Sequence, residues 1–211
     1  YKDDATAFNA QKKAKFENKG RLNKAITLLM YQMMEEKGVP THLVSDVDEV
    51  NLLVKKVDIL MVEVIVRNSA AGSFCKRTAM EEGTEFKIPI VEFSYKSDEL
   101  GDPLINEDYA REMNIASPED CAFLKKQALV INDVMSAFFL QCGLKLVDFK
   151  IEFGKDCNGK IVLADEVSPD TCRLWDATTG KKMDKDRFRE DLGGVMEGYE
   201  EVLARLEKAR G

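Results

Sequence analysis

Apolar positions from Arg21 to Lys37 recur at helical spacing: Leu22, Ile26, Leu29 and Met33, with Gly38 as a stop. This predicts a helix, with Met30, Met33 and Met34 as core filler. Three Val/Ile/Leu-rich runs follow, Thr41–Val44, Leu52–Val57 and Val62–Val66, separated by acidic turns, and they read as strands. Pro89–Tyr95 reads as another. Between them the small residues from Arg67 to Ser73 read as a loop entering a short helix through Lys76. Ser117-Pro118-Glu119-Asp120 is a helix start, with Ser as N-cap and acids in the first turn. That helix should run to Cys142, burying Leu124, Ala128, Ile131, Met135 and Phe138, and end at Gly143. A last helix is expected from near Asp184, striped by Phe188, Leu192, Val195, Tyr199, Val202 and Leu206. The polar stretches Asp3–Lys19 and Lys96–Asn106 read as loops. Strand pairs with segregated helices indicate an α+β fold.

The segment after Gly143 alternates strictly. Val147, Phe149, Ile151 and Phe153 face one way, and Asp148, Lys150 and Glu152 the other. Asn158-Gly159 is a strong hairpin-turn signal, with Ile161–Asp165 as the return strand. A two-residue turn sets Cys157 against Lys160 and therefore Glu152 against Asp165. Facing carboxylates repel unless a cation lies between them, and Mg²⁺ is the natural choice. An acid–Lys–acid strand of this kind suits phosphoryl transfer. The competing reading is a solvated face of an edge hairpin, which needs no function.

Composition narrows the field. The 211 residues carry 31 Lys+Arg and 38 Asp+Glu, a net charge of −7. Such an acidic chain is not expected to bind nucleic acid. Five dispersed cysteines without a CxxC pair fit reduced thiols rather than a disulfide framework or zinc site, and the expected location is cytoplasmic. No apolar run is long enough to span a bilayer, and no secretory signal is read at the start, so no membrane association is expected. His42, the single histidine, follows a Pro-Thr turn and is given no role, and Trp175 reads as core or cleft wall.

Several collinear stretches carry a family resemblance: Glu63-Val64-Ile65-Val66-Arg67-Asn68-Ser69-Ala70-Ala71-Gly72-Ser73, Val147-Asp148-Phe149-Lys150-Ile151-Glu152-Phe153-Gly154, Ala164-Asp165-Glu166-Val167-Ser168-Pro169-Asp170, Arg173-Leu174-Trp175-Asp176 and Met183-Asp184-Lys185-Asp186-Arg187-Phe188. Together they resemble the SAICAR synthetases of short monofunctional bacterial type. The resemblance implies ATP- and Mg²⁺-dependent ligation of L-aspartate to the carboxylate of carboxyaminoimidazole ribotide (CAIR), through an acyl phosphate. It also implies a homodimer. The implied fold is an antiparallel, kinase- or ATP-grasp-like ATP lobe over residues 1–60, packed on an α+β substrate- and metal-binding lobe over residues 61–211, with the active site in the cleft between. The first lobe is expected to be N-terminally incomplete, lacking the family's Gly-Lys-Ala-Lys hairpin.

By the same resemblance, Lys150 and Asp148 are catalytic. Glu63, Arg67, Ser73, Asp170 and Arg173 bind substrate, and Glu152 and Asp165 hold metal and nucleotide. The linker Val54–Ile59, with Lys55 and Ile59, contacts adenine. A kinase-like phosphotransferase and an inactive binding module are the competing functional readings.

Overall fold

The computed structural model describes residues 1–7 and 12–211. A hairpin of β1 (Asp4–Ala7) and β2 (Lys12–Lys15) precedes helix α1 (Lys19–Glu36). A second ribbon, β3 (Leu43–Asp46) and β4 (Leu52–Val54), leads into the long strand β5 (Asp58–Ser69). There follow α2 (Ser73–Thr78), β6 (Glu85–Tyr95), β7 (Leu104–Ile105), α3 (Glu107–Glu112) and α4 (Pro118–Gln141). The chain ends with β8 (Leu144–Lys155), β9 (Ile161–Ala164), β10 (Cys172–Asp176), α5 (Asp186–Arg189) and α6 (Val195–Arg210).

The main sheet is antiparallel in the order β10-β8-β5-β6-β7, with β9 also paired to β8. Strand β5 is its middle strand, and β8 lies beside it, paired to β5 on one side and to β9 and β10 on the other. Phe149, Ile151 and Phe153 are each 1% exposed and share one cluster with Leu124, Ala128, Ile131 and Met135 of α4 and Met30 and Met34 of α1. Burying each such side chain stabilises the fold by roughly 1.5–3 kcal/mol. A smaller cluster of Ala5, Leu22, Phe188, Val195 and Tyr199 ties the first hairpin, α1 and the C-terminal helices together.

Several sequence expectations need correction. The region Asp3–Lys19, read as a loop, carries the β1–β2 hairpin, whose strands are four residues each and too short for a periodicity argument; residues 8–11 lie outside the described residues. The Lys96–Asn106 stretch contains β7, which pairs Ile105 with Phe93. Helix α3 and strand β10 were not foreseen. The last helix is two: α5 stops at Arg189, and Asp191, Gly193 and Gly194 all take positive φ before α6 begins. Leu192 is thereby 50% exposed instead of part of the stripe.

The β8–β9 register also differs by one residue. Glu152 pairs with Ala164 and Phe153 with Leu163, so Glu152 does not face Asp165. The cause is Asp156. Its Oδ1 accepts from the backbone N–H groups of Asn158 and Lys160, both at 2.9 Å, and its own N–H donates to the Lys160 carbonyl at 2.9 Å. The loop therefore spans three residues, 157–159, with only Gly159 at positive φ (75°). Asp165 falls just beyond β9, at φ 61°.

Candidate active site

The polar face of β8 meets the same face of β5. Asp148 lies opposite Arg67, Lys150 opposite Ile65, and Glu152 opposite Glu63. A facing carboxylate pair does exist, but Glu63 supplies its second member. Two lysines relieve the repulsion: Lys150 contacts Glu63, and Lys96 Nζ donates to Glu152 Oε1 at 2.6 Å. Burial pulls the Lys96 ammonium down, but Glu152, Glu63 and Asp165 more than offset this and leave its pKa raised. Burial raises both the Glu63 and Asp165 carboxyls, against the pull of Lys150 on the first and of Lys96 and Lys150 on the second. Glu63, Glu152 and Asp165 thus form one acidic group threaded by two lysines.

Beside it lies a cavity of about 360 Å³. Glu63, Arg67, Ser73, Asp148, Lys150, Asp170 and Arg173, all expected in the site, line it together. Arg67 is 2% exposed and each of its nitrogens donates once, Nε to Glu92 Oε2 at 2.6 Å, Nη1 to Asp148 Oδ2 at 2.7 Å, and Nη2 to Ser73 Oγ at 3.4 Å, which leaves one N–H on each terminal nitrogen. Arg173 Nη1 donates to both Asp148 oxygens, at 2.9 and 3.1 Å, and Nε to Asp186 Oδ2 at 2.6 Å. Asp148 is therefore a buried clasp between two guanidiniums. Burial pushes its pKa up even though both arginines pull it down. Gly72, at φ 54°, lets this happen: a Cβ there would stand 2.3 Å from Arg173 Nη2. Fixed guanidinium forks with a nearby hydroxyl are suited to phosphate or carboxylate ligands.

A second cavity, about 550 Å³, opens on the other side of the loop after β9. Asp165, Glu166, Lys19, Asn23 and Lys185 line it, and Asp170 lines both cavities. Burial, with Asp170 and Asp165 nearby, raises the Glu166 carboxyl to about 7, while the Ser168 hydroxyl donates to it at 3.0 Å. His42 also borders this cavity, edge-on to Tyr31, and burial lowers its pKa. Three expected residues line neither cavity. Glu152 sits behind Lys96, the Lys55 N–H donates to the His42 carbonyl at 2.7 Å, and Ile59 pairs with Gly154.

Sequence reading missed Lys96, Glu92, Asp186, Lys19 and Asn23. For Lys19 and Asn23 a signal was available: polar residues four apart at the start of an otherwise apolar helical face, both at 3% exposure or less.

An α+β fold whose strand β8 carries acids and a lysine into a cation-lined, two-cavity cleft is the architecture of an enzyme acting on anionic, phosphorylated ligands. The comparisons with known proteins are specific. The sequence profile of the SAICAR synthetases matches residues 1–206. The phosphoribosylaminoimidazole-succinocarboxamide synthase of Akkermansia muciniphila is 69% identical over 98% of this chain and 89% of its own length. That of Bacillus mycoides is 55% identical, over 98% and 86%. Among solved structures, the synthase of Ehrlichia chaffeensis superimposes with a TM-score of 0.96 at 46% identity, covering 98% of this chain and 89% of that one. A SAICAR synthetase in complex with ADP gives 0.95 at 47%, covering 98% and 88%. The chain belongs to the SAICAR synthetase family.

Proposed function

We propose that this chain joins the carboxylate of CAIR to the amine of L-aspartate, using ATP, through an acyl phosphate. The observation that carries this reading is the convergence of Arg67, Ser73, Asp148, Lys150 and Arg173 on one cavity beside the Glu63–Glu152–Asp165 group. Arg67, Arg173 and the Ser73 hydroxyl hold the anionic groups of the ribotide, and Asp148 keeps both forks aimed. A ribotide carboxylate oxygen attacks the γ-phosphorus and ADP departs. The aspartate nitrogen then attacks the acyl carbon, the bond to the phosphate oxygen breaks, phosphate leaves and the nitrogen loses a proton. Lys150 and Lys96 carry partly exposed ammonium ends paired with the acidic group, and they balance the charge that moves with the phosphoryl group.

Mg²⁺ belongs to the same reading. Glu152 and Asp165 offer hard oxygen donors around a site already occupied by a cation, Lys96. Mg²⁺ takes one or two carboxylates and completes its shell with phosphate oxygens and water, so two acids suffice. When bound there it would neutralise charge on the nucleotide phosphates. Residues 1–60, with Lys55 and Ile59, form the nucleotide side of the cleft and residues 61–211 the substrate side. The homodimeric state and cytoplasmic location rest on the family resemblance. Among the described residues no helix is long and apolar enough to cross a membrane.

ADP release, measured with and without CAIR and L-aspartate, tests the proposal. Turnover that needs all three substrates supports it. ADP release with CAIR alone at the full rate would mark a kinase-like phosphotransferase instead.

A further inference from the structure

Arg77 has no task in the scheme above. It does not line the smaller cavity, yet its guanidinium engages two of the groups that hold Arg67 there. Its Nη2 donates to Glu92 Oε1 at 2.6 Å, while Arg67 Nε donates to the other oxygen, Oε2, at 2.6 Å. Its Nη1 donates to Ser73 Oγ at 3.1 Å, and Arg67 Nη2 donates to the same hydroxyl oxygen at 3.4 Å. Arg77 follows Ser73 by one helical turn on α2, so the two share a face. Phe74 sits beneath both guanidiniums, its ring centre 5.7 Å from the central carbon of Arg67 and 5.8 Å from that of Arg77.

The consequence falls on Ser73. A serine hydroxyl has one proton to give and a pair of acceptor sites to fill. Two arginine N–H groups take both acceptor sites, and the proton goes to no acceptor among the described residues. Ser73 therefore stands on the cavity wall as a donor, beside the spare N–H of Arg67. Without Arg77 one acceptor site is released, and the hydroxyl is free to turn a lone pair toward an anion instead of its proton.

We infer that Arg77 is a positioning residue for the anionic group received at Arg67 and Ser73: it commits the Ser73 hydroxyl to donating and, across Glu92, braces the Arg67 fork. The assignment rests on the ribotide reading above. Arg77 does this without touching the ligand. Its side chain is 37% exposed, so its ion pair with Glu92 adds little to the stability of the fold. Its effect lies in the polarity and aim of two ligand contacts, and the affinity for the ribotide is where that effect is read.

Titration calorimetry with CAIR, and separately with ATP and Mg²⁺, tests this without needing turnover. Arg77→Met weakens CAIR about tenfold, the loss expected for a hydrogen bond to a charged group, and leaves ATP within about twofold. In a Ser73→Ala background the same change costs less than about threefold, because the hydroxyl it orients is gone. Arg77→Lys keeps the charge without the planar fork and still weakens CAIR by about threefold or more. The assignment is overturned if Arg77→Met leaves CAIR within about twofold of the parent, weakens ATP equally, or costs more than about threefold in the Ser73→Ala background. Parent-like CAIR affinity in Arg77→Lys overturns it as well, since charge alone would then suffice. If Arg77→Met does not fold by thermal unfolding, Arg77→Lys decides alone. A parent chain that binds no CAIR defeats both this role and the ligase reading. One that binds CAIR without aspartate-dependent turnover defeats only the ligase reading, and the affinity comparison still decides the role of Arg77.

Discussion

Asp148 shows how one side chain sets the properties of its neighbours. Its two oxygens hold Arg67 and Arg173 together, so each guanidinium reaches the cavity with its plane already fixed. Arg67→Lys keeps the charge but loses the fork that spans Glu92, Asp148 and Ser73. It should raise the KM for CAIR by roughly 10- to 100-fold and leave that for ATP nearly unchanged; equal changes in both would indicate a folding role. Gly72→Ala should act through the other fork, displacing Arg173 and weakening CAIR binding by titration calorimetry while the ATP affinity holds. Glu166 gives a pH prediction. Its folded pKa of about 7 exceeds the ordinary 4.5, so the folded state binds the extra proton between these values and stability falls as pH rises through that window. Glu166→Gln removes the penalty. Its unfolding midpoint should match the parent at pH 4 and exceed it by a few degrees at pH 8, as expected for a gain on the order of 1–3 kcal/mol.

Among the elements, α4 illustrates a boundary the sequence states outright. Ser117 Oγ accepts from the Asp120 N–H at 3.0 Å, with Pro118 at the first helical position. Ser117→Ala should lower stability by about 1 kcal/mol in urea unfolding without changing the denaturant slope. Helices α1 and α4 and the alternation of β8 were legible for the same reason: caps, stops and apolar spacing are local signals. What failed was decided by single side chains or by distant partners. Asp156 takes up the turn amides and moves the β8–β9 register by one. Gly193 and Gly194 split a stripe that reads as continuous from Phe188 to Leu206. In the site, Asp148, Lys150, Glu152 and Arg67 could be grouped from strand alternation and family likeness. Lys96, Asn23 and Lys185 could not, because three separate elements bring them to the cleft.

The whole molecule carries a net charge of −7 yet is built to receive anions. It does so by concentrating lysines and arginines against buried acids, so ligand charge is met locally. If the Glu63–Glu152–Asp165 group meets the nucleotide phosphates, as proposed above, nucleotide binding depends on a counter-cation. ATP with Mg²⁺ should raise the unfolding midpoint, and ATP with excess chelator should raise it much less. Glu152→Gln should erase most of that difference while leaving the ligand-free midpoint near the parent value, because the lost pairing with Lys96 is offset by relief of the repulsion with Glu63. Strand β8 imposes a further condition on the site. Asp148, Lys150 and Glu152 hang from one extended backbone, locked by neighbours on both sides, at intervals of about 6.7 Å. The strand is a ruler with fixed graduations. Its three marks cannot be drawn closer or spread by small adjustments, and inserting one residue would turn every mark beyond it into the core. Ligands of altered length can be accommodated only by the loops around the ruler, so new specificities in this scaffold should arise in the segments after β5 and β9 while the graduated face stays as it is.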